Sequence, residues 1–176
     1  IVGEKLAIVS DKPQTTRNRI VGVWNGDRGQ IVFVDTPGVH VPRSALNKFM
    51  VDEALGAIED VDAALLVVEA PTGAPRASGL PADAQALPEP ERQLVARLNA
   101  ERKPVVVVLN KVDQVKDKTS LLPTLSWWHD RATFAAVVPI SAKQGKGVDG
   151  VVKELLKLMP PGPPLYGPDE LTDRTE

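Results

Sequence analysis

The feature that most constrains this chain is Val105–Leu109 (VVVVL), five consecutive apolar residues followed at once by Asn110-Lys111-Val112-Asp113. A strand with one wet face alternates apolar and polar residues. An unbroken β-branched run is instead the mark of a strand covered on both faces, as in the parallel sheets of α/β proteins. Other segments repeat the alternation that such a fold needs. Ala63–Glu69 (AALLVVE) and Ala135–Ile140 read as further strands, and Asn18–Trp24 with Gln30–Asp35 reads as a hairpin turning at Asn25-Gly26-Asp27. Helical patterns are expected from Ser44 to about Asp60, with Leu46, Phe49, Met50, Ala54 and Ile58 on one face. Others are expected over Glu89–Lys103, ended by Pro104, over Ser120–Ala132, and over Val148–Met159, with Val151, Val152, Leu155, Leu156 and Met159 inward. Strand and helix in alternation imply a layered α/β domain with a mainly parallel sheet.

Composition narrows the function. The chain of 176 residues has 21 Lys plus Arg against 23 Asp plus Glu, a net charge of −2, so it lacks an overall basic footprint for nucleic acid. It has no cysteine and only two histidines, His40 and His129, which excludes disulfide frameworks and thiolate metal centres. No apolar run reaches the ~18 residues of a membrane span. Proline, 16 of 176 residues, gathers in Pro71–Pro90, read as a surface insertion without regular structure, and in residues 160–176, read as a linker leading out of the domain or as a frayed tail. Trp127 and Trp128 are expected to pack on a helix, and His129 to lie at the surface.

In parallel sheets ligands bind at the carboxyl ends of strands. After QIVFV stand Asp35-Thr36-Pro37-Gly38. A carboxylate there can hold a magnesium-bound water, and the Gly38 N–H is open to a phosphate oxygen. The same residues also make an ordinary turn. After VVVVL, Asp113 can accept two hydrogen bonds from the N1–H and exocyclic amine of guanine, a donor pair adenine lacks. The Asn110 amide can meet the Hoogsteen edge, and the Lys111 stem can lie over the ring, although a polar loop cap is the plainer reading. After AAVVPI, the small residues Ser141-Ala142 let backbone N–H groups approach a base carbonyl, or simply begin a helix. In Pro13-Gln14-Thr15-Thr16-Arg17 a threonine hydroxyl can ligate Mg²⁺ while its N–H meets a γ-phosphate. No one of these motifs settles the matter alone, those at Ser141 and Thr15-Thr16 least. Their order and spacing together are those of a guanine-nucleotide domain.

With these residues in view the chain resembles the Era-type ribosome-assembly GTPases, over nearly its whole length. VGEKLAIVSDKPQTTRNRIVGV is similar to their first switch region, VDTPGVH to the second, LNKFMVDEA to the helix that follows, and PPGPPLYGPDELTDR to the linker toward an RNA-binding KH domain. The resemblance implies a three-layer P-loop NTPase-type GTPase domain over residues 1–159 and a linker over 160–176. It implies that Gln14, Thr15, Thr16, Arg17 and Asn18 form the first switch motif, and Asp35, Thr36, Pro37, Gly38 and Val39 the phosphate-sensing motif. Asn110, Lys111, Val112 and Asp113 would read guanine, supported by Ile140, Ser141 and Ala142. Thr16, with Thr15 as runner-up, and Asp35 would serve Mg²⁺, and Thr15, Thr16 and Gly38 would serve hydrolysis. Val39 stands where many GTPases carry a water-orienting Gln, so intrinsic turnover is expected to be slow.

The resemblance further implies GTP and GDP with Mg²⁺ as ligands and action on the small ribosomal subunit and its 16S rRNA through a KH domain. It also implies a monomer in the cytoplasm, with peripheral association at the inner face of the membrane. One departure stands out. No G-x-x-x-x-G-K-[ST] phosphate loop occurs in residues 1–176, and the chain begins with Ile1 rather than Met. Gly145-Lys146-Gly147 does not complete that motif. The expectation is therefore a domain incomplete at its N-terminus, lacking a central strand and inactive by itself. The competing expectation is a degenerate GTPase-like module that binds protein partners without turnover.

Overall fold

A computed structural model of the chain describes residues 1–2, 20–36, 56–70, 89–131, 134–168 and 170. Strands β1 (Ile20–Gly26) and β2 (Gly29–Asp35) form an antiparallel hairpin. Strands β3 (Ala64–Glu69), β4 (Val105–Asn110) and β5 (Phe134–Pro139) form a parallel sheet in the order β3-β4-β5. Helix α1 (Glu89–Ala100) connects β3 to β4, α2 (Leu121–Arg131) connects β4 to β5, and α3 (Val148–Leu156) follows β5.

The apolar run is explained by what lies on either side of it. Val105, Val107 and Leu109 are buried in one cluster with Leu98 of α1 and Leu121 and Trp128 of α2. Val106 and Val108 are buried in another with Ile140, with Val151, Val152 and Leu155 of α3, and with Ile31 of the hairpin. Alternate residues of one strand thus feed two cores, and no position from Val105 to Leu109 is left for a polar side chain. Trp128 also packs against Phe134 in a tilted arrangement, ring centroids 5.6 Å apart at 58°.

Several boundaries move from their expected positions. The hairpin turns at Asp27-Arg28, not at Asn25-Gly26-Asp27. Asn25 pairs with Gln30 and Gly26 with Gly29, so both belong to the ladder. Helix α1 stops at Ala100 rather than Lys103, because Arg102 turns into the left-handed region (φ 53). The Lys103 N–H then reaches the Leu98 carbonyl (3.0 Å) and the Arg102 N–H the Asn99 carbonyl (3.1 Å), a Schellman closure made without glycine. The start of α1 at Glu89 is the expected one, and Glu89 and Pro90, which the proline-rich stretch also took in, belong to the helix. Ser120 belongs to a 3₁₀ turn before α2, where Asp117 caps the Thr119 N–H (2.9 Å). Pro123 sits in the first turn of α2 as expected. Helix α3 ends at Leu156, with Leu156 and Met159 packed on the core but only partly buried.

The helix expected from Ser44 lies outside the described residues except for 56–60, where Ala57 and Ile58 are buried. Residues 71–88 also lie outside. Among the described residues β2 and β3 are not paired. A cleft of about 1120 Å³ lies between hairpin and parallel sheet, walled by Ile31, Phe33, Leu65, Leu66, Leu155 and Met159.

Candidate functional site

The site is built at the carboxyl ends of β4 and β5. As β4 ends, the Asn110 side chain folds back on the backbone. Its Oδ1 accepts from the Lys111 N–H (2.8 Å) and, across to the loop after β5, from the Ala142 N–H (3.0 Å). The β4 and β5 loops are tied again by the Ile140 N–H to the Leu109 carbonyl (2.8 Å) and the Val112 N–H to the Ile140 carbonyl (3.1 Å). Lys111 adopts the left-handed region (φ 65, ψ 29), which turns the chain sharply into the 3₁₀ turn Val112–Gln114. That turn presents Asp113.

Asp113 is held by Ser141. The Ser141 hydroxyl, 1% exposed, donates to Asp113 Oδ1 at 2.6 Å. This bond is the main cause that holds the Asp113 carboxyl below the ordinary carboxylate range, aided by the positive charges of Lys143 and Lys118 and opposed by partial desolvation. Asp113 is therefore an oriented, ionised acceptor. Ser141 is fixed in turn. Its Oγ also accepts from the Gln144 N–H (3.3 Å), and its backbone bridges Lys146 in both directions (3.0 and 3.1 Å). The loop closes through Gly145 and Gly147, both left-handed (φ 67 and 81), and Gly147 caps α3. Gly145-Lys146-Gly147 is thus the structural floor of the Ser141 loop.

Chemically, a carboxylate with one oxygen anchored can still accept from an N–H pair on a planar base. Asn110 Oδ1 is committed to backbone donors, which leaves its Nδ2 as the group to meet a purine N7. The Ala142 N–H, expected to face a base carbonyl, is here bonded to Asn110 Oδ1. Lys111 Nζ pairs with Glu69 at the end of β3, and Glu69 lies opposite Asn110 in the β3–β4 register. Lys118 Nζ donates to the Val112 carbonyl and to the Val115 carbonyl (2.7 Å), bracing the loop below Asp113.

The structure therefore brings Asn110, Lys111, Val112, Asp113, Ile140, Ser141 and Ala142 together. Asp35 and Thr36 are placed apart from these, at the end of β2. Gln14, Thr15, Thr16, Arg17, Asn18, Pro37, Gly38 and Val39 lie outside the described residues. Among the described residues no group of three or more His, Cys, Asp or Glu could hold a metal ion. Asp35 alone could serve Mg²⁺, as one carboxylate beside phosphate oxygens. The roles of Ser141 as orienter and of Glu69 as partner of Lys111 were not legible. A serine and an aspartate 28 residues apart carry no local signal, although the two apolar strands preceding them were the hint that their ends meet.

The family model described as 50S ribosome-binding GTPase matches residues 1–111. The GTPase Era of Xanthomonas oryzae pv. oryzae is 43% identical over 178 residues, and that of Geobacter metallireducens 45% identical over 176. Each alignment covers 100% of this chain and 54% of the relative. The chain thus spans about half the length of the curated relatives it matches. A crystal structure of Era in complex with MgGDPNP and nucleotides 1506–1542 of 16S ribosomal RNA superimposes with a TM-score of 0.82 at 33% identity, over 98% of this chain and 55% of that one.

Proposed function

We propose, from the premise that this chain belongs to the 50S ribosome-binding GTPase family, that it carries the guanine-selecting part of an Era-like GTPase. In the whole protein GTP and GDP bind with Mg²⁺, GTP is hydrolysed, and the change of nucleotide switches conformation. The observation that carries this reading is the Ser141–Asp113 bond at 2.6 Å with the Asp113 pKa drawn down. A carboxylate so fixed and ionised suits the N1–H and amine of guanine and has nothing to offer adenine. A protein-binding module without nucleotide has no physical need of that arrangement.

The site assignments follow. Asn110 to Asp113 with Ile140 to Ala142 hold the base. Asp35 to Val39 and Gln14 to Asn18 serve the phosphates. Thr16, with Thr15 as runner-up, and Asp35 serve Mg²⁺, which when bound neutralises phosphate charge. Residues 1–159 form the nucleotide domain and 160–176 lead toward an RNA-binding domain. The complex of the Era relative with MgGDPNP and a 16S rRNA fragment supports 16S rRNA of the small subunit as the macromolecular partner. A monomer in the cytoplasm fits this role, with any membrane association peripheral; among the described residues no helix is long and apolar enough to cross a membrane.

The test is displacement of a fluorescent GDP from the full-length protein by GTP, ITP and ATP. Inosine lacks the exocyclic amine, so ITP should compete at least tenfold more weakly than GTP, and ATP not measurably. Equal competition by ATP would refute the guanine reading.

A further inference from the structure

The proline-rich segment after α3 does not leave the molecule directly. Pro160, Pro161, Pro163 and Pro164 fix their own φ and make it stiff. It runs along the cleft wall to the hairpin. There Gln30 grips it with both poles of one amide. Its Oε1 accepts from the Leu165 N–H (2.9 Å) and the Tyr166 N–H (3.0 Å), while its Nε2 donates to the Tyr166 carbonyl (3.0 Å) and to Asn25 Oδ1 (2.8 Å). Asn25 Nδ2 donates to the Pro168 carbonyl (3.0 Å). The bonds to Leu165, Tyr166 and Pro168 join residues more than 130 positions apart in the chain.

The hairpin that carries this grip is an unbroken ladder from Gly26↔Gly29 beside the turn to Ile20↔Asp35 at the other end. Asn25 and Gln30 sit at the turn end, Asp35 at the opposite one. The hairpin packs through Ile31, Trp24 and Phe33 on the same core as α3, from which the strap departs. A regular ladder moves as a unit. An amide that donates and accepts at once cannot slide by an ångström without losing several bonds together, so the grip has a closed and an open state and little between.

We propose that Gln30 is the latch of a C-terminal strap, and that seating of the strap and occupancy of the nucleotide site bias one another through the β1–β2 hairpin. This rests on the reading of Asp35 as a phosphate-site residue. Linkage then requires reciprocity: whatever factor nucleotide exerts on the latch, the latch exerts on nucleotide.

The experiment uses the full-length protein, wild type and Gln30→Leu, with Asn25→Ala as a second variant that weakens the grip from its other side. Hydrogen exchange of the Leu165 and Tyr166 amides is followed with GDP and with a non-hydrolysable GTP analogue. Affinities for both nucleotides are measured in parallel. Expected in wild type is a difference in protection of about fivefold or more between the two nucleotides. Expected in Gln30→Leu is its loss, with a shift of the GDP-to-analogue affinity ratio by the same factor, and in Asn25→Ala a smaller shift of the same sign. Wild-type protein that binds both nucleotides with equal protection, or a Gln30→Leu ratio unchanged from wild type, overturns the coupling while leaving guanine binding intact. Wild-type protein that binds neither nucleotide overturns the guanine reading and the coupling with it.

Discussion

Gly147 offers the sharpest test of how the proposed guanine site is held in place. Its φ of +81 is the left-handed region, and a Cβ built there would lie 2.6 Å from the Pro139 carbonyl oxygen and 3.2–3.3 Å from Ile140. Gly147→Ala therefore meets two costs. The left-handed backbone costs an L-residue roughly 1–2 kcal/mol. The Cβ would meet a backbone oxygen rather than a flexible side chain, so the contact can be relieved only by moving backbone, at about 1–3 kcal/mol. The sum is about 2–5 kcal/mol, which at ~2–4 °C per kcal/mol for a chain this size lowers the melting temperature by roughly 4–20 °C. Gly145 provides the control. It is also left-handed (φ +67), but a Cβ there meets nothing within 4 Å, so Gly145→Ala incurs only the first cost, about 1–2 kcal/mol. Because Pro139 and Ile140 lead directly into Ser141, Gly147→Ala should also weaken guanine nucleotide binding, whereas Gly145→Ala should leave it nearly intact. Thermal denaturation with nucleotide titration reads both effects. Equal melting temperatures and equal affinities in the two variants would refute the reasoning.

Two further outcomes follow from buried or ionised groups. Thr124 Oγ1 is buried on α2 and has no hydrogen-bond partner among the described residues, so Thr124→Val should stabilise the protein by about 1 kcal/mol in urea denaturation, and destabilisation by that amount would mean the hydroxyl has a role. The folded Asp113 pKa is depressed, so its ionisation contributes stability above the unfolded value, near 3.8, and that contribution is lost as pH falls through the folded pKa. Ser141→Ala should accordingly reduce stability at pH 7 and converge on wild type in acid below that range; a constant difference at all pH values would show that Ser141 acts through packing alone.

What could be read from sequence was what a single residue pattern dictates. Val105–Leu109 announced a strand buried on two faces, and the two cores on either side bear this out. The strand ends pointed to the loops after β4 and β5, which the structure ties together. The hairpin turn was misread because Asn25-Gly26 is favoured turn chemistry, while here Gly26 serves the ladder under the Trp24 ring, where a Cβ would lie 2.3 Å from that ring. The end of α1 was misread because a left-handed Arg102 does the work usually given to glycine. The Ser141–Asp113 bond and the Gln30 latch were invisible for a different reason. Each joins side chains distant in sequence, and such pairings are fixed by the packing of β4, β5 and α3 rather than by any local preference. The proline-rich segment was read as a linker or a frayed tail; its bonds from Leu165, Tyr166 and Pro168 to the hairpin carried no signal in the sequence.

The most direct measurement is calorimetric titration of the full-length protein, wild type and Asp113→Asn, with GTP and with XTP. Replacing the carboxylate by an amide reverses one acceptor into a donor, which mismatches the guanine amine and matches the xanthine 2-carbonyl. Expected is wild-type binding of GTP and not XTP, with Asp113→Asn losing GTP affinity by about a hundredfold or more and gaining XTP. Undiminished GTP binding by Asp113→Asn would contradict the assignment of Asp113 as the residue that selects guanine.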